Sequence, residues 1–206
     1  MLRVPPGRAG RIWLVRRLQV ARRGAELLDR KRTALLAERA RAQADAAAAR
    51  ADWEAAASAV ARWSARATVV DGTERWDLLS RHVRDRAALE LDWSNLMGAR
   101  LPAVRTISLP DPPPLSALGA GSATVVLADV CREATVAAAR LAVAERAHAE
   151  LAAELARTAR RLRALRDRWI PQHEQALQRL DLALDESQRE QAVRVRWLTQ
   201  RSARPA

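Results

Sequence analysis

The chain has 206 residues, a formal net charge of +12, no Phe, no Tyr, and a single Lys among 36 basic side chains. Aromatics make up 3%, too few to fill an ordinary compact core at protein packing density, and the dominance of Ala, Leu and Arg is the bias of long helices. One cysteine, Cys131, excludes a disulfide framework and argues against a metal cluster. No apolar stretch approaches the length of a membrane span.

Pro5 and Pro6 precede the first periodic segment, so a long helix is expected from about residue 8 to 67, roughly 90 Å at 1.5 Å per residue. Its apolar residues keep coiled-coil spacing through Leu14, Leu18, Ala21, Ala25, Leu28, Leu35, Ala42, Ala46, Ala49, Trp53, Ala56, Val60 and Trp63. Only Arg32 and Arg39 break this seam. Val70-Asp71-Gly72-Thr73 reads as a helix stop followed by a new N-cap, with a short helix over 74–86.

The period then changes to two. Leu89, Leu91 and Trp93 alternate with Glu90 and Asp92, Ser94 to Gly98 reads as a turn, and Ala99 to Arg105 as the returning strand, with Pro102 marking an edge. Residues 107–121, with four prolines and Gly119 and Gly121, read as a loop.

Ser122 can cap a second long helix running to about residue 199. Its seam passes through Val126, Val130, Ala134, Ala137, Leu141, Ala144, His148, Leu151, Leu155, Thr158, Leu162, Leu165 and Trp169, then Leu177, Leu180 and Leu184. From Trp169 through His173 to Leu177 the spacing is two consecutive fours, a stutter that unwinds a left-handed supercoil. Pro171 lies in that turn, where a kink is expected, and in a helix interior its replacement by Ala would stabilise by up to roughly 3 kcal/mol.

The fold class is therefore all-α: a long antiparallel two-helix coiled coil with a small central insertion made of a short helix and a β-hairpin. The corresponding segments are 1–67, 68–121 and 122–206. Two helices alone bury little surface, and basic ends with few ion pairs should fray, so a partner, another copy or a surrounding sleeve is expected to support them.

Charge is unevenly spread. Residues 1–50 carry 13 basic and 4 acidic side chains, residues 51–156 carry 11 and 14, and residues 157–206 carry 12 and 6. Antiparallel pairing would merge the two basic ends into one basic tip. A polyanion such as nucleic acid is one class of target for such a tip, which makes a basic coiled-coil scaffold or nucleic-acid binder the alternative to a mechanical subunit. Against it, the middle is slightly acidic, and the insertion divides the chain where a basic-region zipper would be continuous.

Other motifs have bland readings. Gly119-Ala120-Gly121-Ser122 lacks the Lys of a phosphate loop, and Glu145 with His148 has di-iron spacing but no second such pair, which leaves His148 as a seam residue. His82 and His173 have no ligand partners at suitable spacing, and Cys131 reads as an inert thiol.

The strings between Val4 and Arg32, those from Thr158 through Arg160-Arg161-Leu162 to Ile170-Pro171, and the turn Asn95-Leu96-Met97-Gly98 make three stretches that are together similar to the D subunit of the V- and A-type ATPases. The first is Val4-Pro5-Pro6-Gly7-Arg8 with Arg16-Arg17-Leu18, Ala21-Arg22-Arg23-Gly24 and Leu27-Leu28-Asp29-Arg30-Lys31-Arg32. The second is Thr158, Arg160-Arg161-Leu162, Ala164-Leu165 and Ile170-Pro171; the third is the turn Asn95-Leu96-Met97-Gly98 before Leu101-Pro102. Arg163 and Arg166 stand where that family tends to have Asn and Glu.

The resemblance implies a rotor subunit with no catalytic residue and no cofactor, present as one copy per complex. It would pair with the small F subunit, sit in a socket subunit above the membrane ring, and turn inside a head of alternating A and B subunits. It implies no nucleic acid and no direct membrane insertion, and a place at the cytoplasmic face of the membrane. Candidate partner contacts are Arg23, Gly24, Lys31, Arg32, Arg160, Arg161 and Pro171, together with Leu96, Met97 and Gly98 of the turn.

The two seams lead to an expected outcome in solution: small-angle scattering should report an elongated monomer. A radius of gyration near 17 Å, the value of about 2.2·N^0.38 Å for a compact chain of this length, would refute it.

Overall fold

The computed structural model describes residues 5–73, 86–111 and 119–202. Helix α1 runs over Gly7–Asp71, strands β1 and β2 over Ala88–Leu96 and Ala99–Ser108, and helix α2 over Ser122–Arg163. A π-helical turn over Ala164–Trp169 leads into helix α3, Ile170–Ser202. The short helix expected over 74–86 falls outside the described residues, except for Arg86, which belongs to no regular element. The chain forms two compact units, one of residues 1–33 with 156–206 and the other of residues 34–155.

α1 is uninterrupted because no proline follows Pro6 until Pro102. It ends four residues later than the spacing suggested, at Asp71, where Gly72 adopts φ +82°. A glycine in the left-handed region just past the last turn is a favoured helix terminator, because it has no Cβ to clash there.

In the first unit the buried residues of α1 are Gly10, Leu14, Leu18, Ala21 and Ala25, and those that follow residue 156 are Thr158, Leu162 and His173. Ion pairs join α1 to the returning chain, among them Arg11 to Asp181 at 2.8 Å, Arg22 to Glu174 at 2.6 Å, and Arg166 to Asp29 at 3.1 Å. One partner number rises as the other falls, so the pairing is antiparallel. These pairs are solvent-exposed, so each contributes about 0–1 kcal/mol.

The second unit pairs its helices in the same sense. Arg39 Nε donates to His148 Nε2 at 3.4 Å, Arg50 is ion-paired to Glu145, and Asp71 meets Thr124. Arg39, which interrupts the apolar seam, thus reaches the seam histidine of the opposite helix. Glu145 and His148 engage separate arginines.

The β-hairpin turn is tighter than the five residues read from sequence. Only Met97 and Gly98 lie outside the strands, with φ 50° and 88°. Positive φ at both central residues is the I′-type geometry that suits strand twist. Asn95 remains in β1, and its Oδ1 accepts the Gly98 N–H at 3.0 Å. A left-handed conformation is unfavourable for Met. Burial offsets this, since Met97, Leu96 and Leu101 pack around a core of Leu35, Ala99 and Leu151. Register slips by one residue between Glu90 and Leu91, leaving Arg105 as the extra residue of a bulge. Pro102 lies opposite Trp93, and in a two-stranded sheet every strand is an edge.

Where α1 ends, α2 begins, and one carboxylate serves the junction. The Val125 N–H bonds to the Gly121 carbonyl at 3.2 Å, which makes Gly121, and not the expected Ser122, the residue that caps α2. The side-chain acceptor comes from the other helix: Asp71 Oδ2 accepts from the Thr124 backbone N–H at 3.0 Å and from the Thr124 hydroxyl. A Cβ built on Gly121 would collide with Asp71 Oδ1. Only glycine admits the carboxylate there. Beneath the junction, Ala67, Ala123 and Leu127 form a second core with Val60, Trp63, Val130 and Cys131 around it.

Pro171 is accommodated by the π turn. The Ile170 N–H bonds to the Leu165 carbonyl, five residues back. Pro171 follows directly, in the first turn of the α-helical stretch Ile170–Ser202. The π turn also treats the stutter. Leu165, Trp169, His173 and Leu177 are spaced by fours, which in a straight α-helix drifts by about 40° per step. The wider i→i+5 turn rotates less per residue and removes the drift of the first step.

Two outcomes follow. Asp71→Ala and Gly121→Ala should each lower stability in urea by about 1–2 kcal/mol, since both remove the same cap, and the double variant should be less than additive. A fully additive double variant would show that the two residues act separately. Pro171→Ala should change stability by less than about 1 kcal/mol, well short of the ~3 kcal/mol of an interior proline, and the shift in urea midpoint decides between them.

Candidate functional site

The two units differ in charge. The first carries 22 basic and 8 acidic side chains, the second 14 and 16. The whole excess of positive charge therefore belongs to one unit, and seven of the ten candidate contacts lie in it: Arg23, Gly24, Lys31, Arg32, Arg160, Arg161 and Pro171. Leu96, Met97 and Gly98 lie in the other unit.

Arg23, Arg160 and Arg161 are exposed, and the last two stand in the last turn of α2 before the π turn. Arg32 is exposed and lies 3.6 Å from Asp29, one turn back. Asp29 also receives Arg166, so one carboxylate serves cations from both helices. Lys31 is half-buried. Gly24 is half-buried too, yet no atom comes within 4 Å of where its Cβ would stand, so no part of this chain presses on it. In the hairpin, Leu96 and Met97 are partly covered by their own unit, and Gly98 is exposed.

Beside the π turn the first unit holds a stack of rings and a cation. The Trp169 and His173 rings lie 3.5 Å apart at 19°. Arg17 sits 4.7 Å from the Trp13 ring and 5.7 Å from the Trp169 ring, within reach of the cation–π attraction. His173 is 3% exposed, and its Nδ1 lies 2.8 Å from the Trp169 carbonyl. A carbonyl only accepts, so Nδ1 carries the proton. This group fixes how the π turn meets α1. Sequence reasoning missed Trp13 and Arg17, because neither occupies a seam position and their partner is some 150 residues away. The one available sign was Trp169 and His173, four apart in the seam.

In the second unit a groove of about 640 Å³ lies between the Ala48–Ala49 step of α1 and the Val136–Ala137 step of α2, with Asp45, Asp52, Arg132 and Arg140 at its rim. Arg132 donates to the Pro110 carbonyl and ties the segment after β2 to α2. Cys131 is half-buried against the second core, and loss of solvent there pushes its thiol pKa up, which disfavours the reactive thiolate. Among the described residues no three His, Cys, Asp or Glu side chains gather as a metal site, and no helix is long and apolar enough to cross a membrane.

Comparison with known proteins gives a match to a family model described as the D subunit of ATP synthase over residues 12–200. The V-type ATP synthase D subunit of Thermotoga neapolitana is 26% identical over 201 residues, covering 98% of this chain and 99% of that protein. The A-type ATP synthase D subunit of Pyrococcus furiosus is 28% identical over 199 residues, covering 95% and 93%, and that of Pyrococcus abyssi matches to the same extent.

Proposed function

The chain belongs to the D-subunit family of V/A-type ATP synthases, and from that premise we propose that it is the central rotor shaft of such a complex, passing torque between the catalytic A/B head and the membrane ring that moves ions. In this reading one copy serves each complex. It pairs with the F subunit, seats in a socket subunit at the membrane face without entering the bilayer, holds no cofactor and makes or breaks no bond. The observation that carries the reading is the match over 12–200, which takes in both long helical stretches and the hairpin between them.

The physical character of the first unit supports it. Residues 185–201 of α3 are exposed throughout, and Val193, Val195 and Trp197 are 60–63% exposed. Val193 and Val195 point about 200° apart around the helix, so one neighbouring helix cannot cover both. A sleeve of head subunits would. A turning contact cannot rely on interdigitated packing, because each step would have to break it. Long Arg side chains suit it better, since each exchanges carboxylate partners at about 0–1 kcal/mol per exposed pair. Arg23, Lys31, Arg32, Arg160 and Arg161 are assigned that role, with the open space beside Gly24 left for a head loop. The hairpin turn at Leu96, Met97 and Gly98 is assigned to the other subunits of the rotor.

The load is shared, so no single charge should be essential. Removing any one of those five cations should leave ATP-driven ion pumping by the reconstituted complex nearly intact. Removing all five should weaken assembly or coupling, more so at high ionic strength. A fivefold variant that pumps like the parent at both low and high salt would overturn the reading of this surface.

A further inference from the structure

The β-hairpin closes one of its hydrogen-bonding edges and leaves the other open. Leu96 and Ala99 flank the two-residue turn and face each other, so they exchange the first pair of ladder bonds. By alternation Ser94 bonds with Leu101 and Asp92 with Ala103, while Asn95, Trp93 and Leu91 turn their N–H and C=O groups away from β2. The matching outward positions of β2 are Arg100, Pro102 and Val104. Pro102 has no N–H, so the outer edge of β2 lacks its central donor. β1 has no proline and no buried position over its nine residues, whereas β2 buries Ala99 and Pro102. β2 therefore lies nearer the helices, and β1 is the outer strand. Among the described residues no backbone hydrogen bond reaches β1 from outside the hairpin. Leu89, Leu91 and Trp93 share one face of β1, and Leu89 and Trp93 are 42% and 47% exposed. Glu90 and Asp92 share the opposite face. Among the described residues Glu90 has no ion pair, and Asp92 meets Arg105 at 3.9 Å with both side chains largely in solvent.

We propose that the outer edge of β1 takes up an extended segment of a partner protein in which aliphatic and basic residues alternate. Its main chain bonds to Leu91, Trp93 and Asn95. Its aliphatic side chains lie beside Leu89, Leu91 and Trp93, and its basic ones beside Glu90 and Asp92. Strand addition at an open edge draws affinity from main-chain hydrogen bonds and specificity from alternate side chains. An edge of this length is a hazard that proteins ordinarily blunt, as Pro102 does on β2, and β1 carries no such device. Charge decides the occupant. The β1 of a second copy would set Glu90 and Asp92 against the same two carboxylates, and like charges across a strand pair are unfavourable. The β2 of a second copy is closed by its own proline. A helix has no free row of N–H and C=O groups to offer. The inference goes beyond the shaft reading and is independent of it, since it needs only the hairpin.

The experiment adds a fluorescent synthetic peptide of about eight residues, alternating Val and Arg, to the full chain. Anisotropy should give a Kd below about 1 mM. Amide hydrogen exchange read by NMR should slow at Leu91, Trp93 and Asn95, and stay unchanged at Arg100, Val104 and in the helices. N-methylation of every second peptide residue blocks one edge of a strand. Methylating one alternate set should abolish binding, and methylating the other should leave it within about twofold. Leu91→Pro closes the β1 edge without removing a ladder bond and should weaken binding at least about tenfold. Val104→Pro, on the edge already closed, should leave it unchanged. Protection of the Ser94 and Leu101 amides shows that the hairpin survives in both variants, and if it is lost the methylated peptides alone decide. Equal binding of a Val–Glu peptide, protection elsewhere, equal loss with both methylated sets or with both proline variants, or no binding would each overturn the proposal. So would slow exchange at β1 in the chain alone: growing with concentration it identifies a second copy on the edge, and constant with concentration a segment of this chain. The shaft reading is decided separately, by ion pumping of the complex.

Discussion

Two helices packed side by side exclude water only along a narrow seam, and the rest of this chain answers to that constraint. Large side chains would hold the helices apart, so the seam uses Ala as well as Leu, and α1 buries Ala21, Ala25 and Ala67 beside Leu14 and Leu18. Small seam residues bring the backbones close but contribute little area, at roughly 25 cal/mol per Å² of apolar surface removed from water. What the seam lacks is supplied at its flanks. Arginines of α1 reach Asp181 and Glu174 on α3 and His148 and Glu145 on α2, and a β-hairpin covers the pair near Leu35 and Leu151.

The two places where the chain departs from regular pairing show how it absorbs conflict. At the α1–α2 junction, Asp71 stands at the C-terminal end of one helix, where its charge opposes the dipole, and at the N-terminal end of the next, where it is favoured. Both effects are about 0.3–1 kcal/mol when exposed, and the hydrogen bonds to Thr124 tip the balance toward the cap. Near residue 170, a proline and a seam stutter would each disturb an α-helix. One π turn resolves both, and the Trp169–His173 stack and Arg17 hold it against α1.

Function in this reading lies in surface, not in a pocket. The second unit is nearly balanced in charge, whereas the first concentrates the positive excess and leaves apolar residues exposed: Ile12, Val20 and Leu27 on one face of α1, and Val193, Val195 and Trp197 around α3. Clustered exposed apolar residues are unfavourable in water unless another protein covers them. A protein that works inside a larger assembly carries such faces because its partners complete them.

The periods of the sequence by themselves determined the two long helices, the buried positions Leu14, Leu18, Ala21, Ala25, Leu35, Leu141, Leu151, Thr158 and Leu162, and the existence of the hairpin, because a 3–4 repeat or a strict alternation is a local property that backbone geometry converts directly into a face; at the start of α2 the buried residues are Ala123 and Leu127, not the expected Val126. The family resemblance was likewise legible in short local strings such as Leu27-Leu28-Asp29-Arg30-Lys31-Arg32. Only the tertiary structure decided the rest. The tightness of the Met97–Gly98 turn depended on Met97 finding a core of Leu35 and Leu151, which are far away in sequence. The π turn before Pro171, the glycine at position 121 and the Arg17 clamp were decided in the same way. Each depends on which atom of a distant segment arrives beside it, and no pattern along one strand of chain encodes that distance.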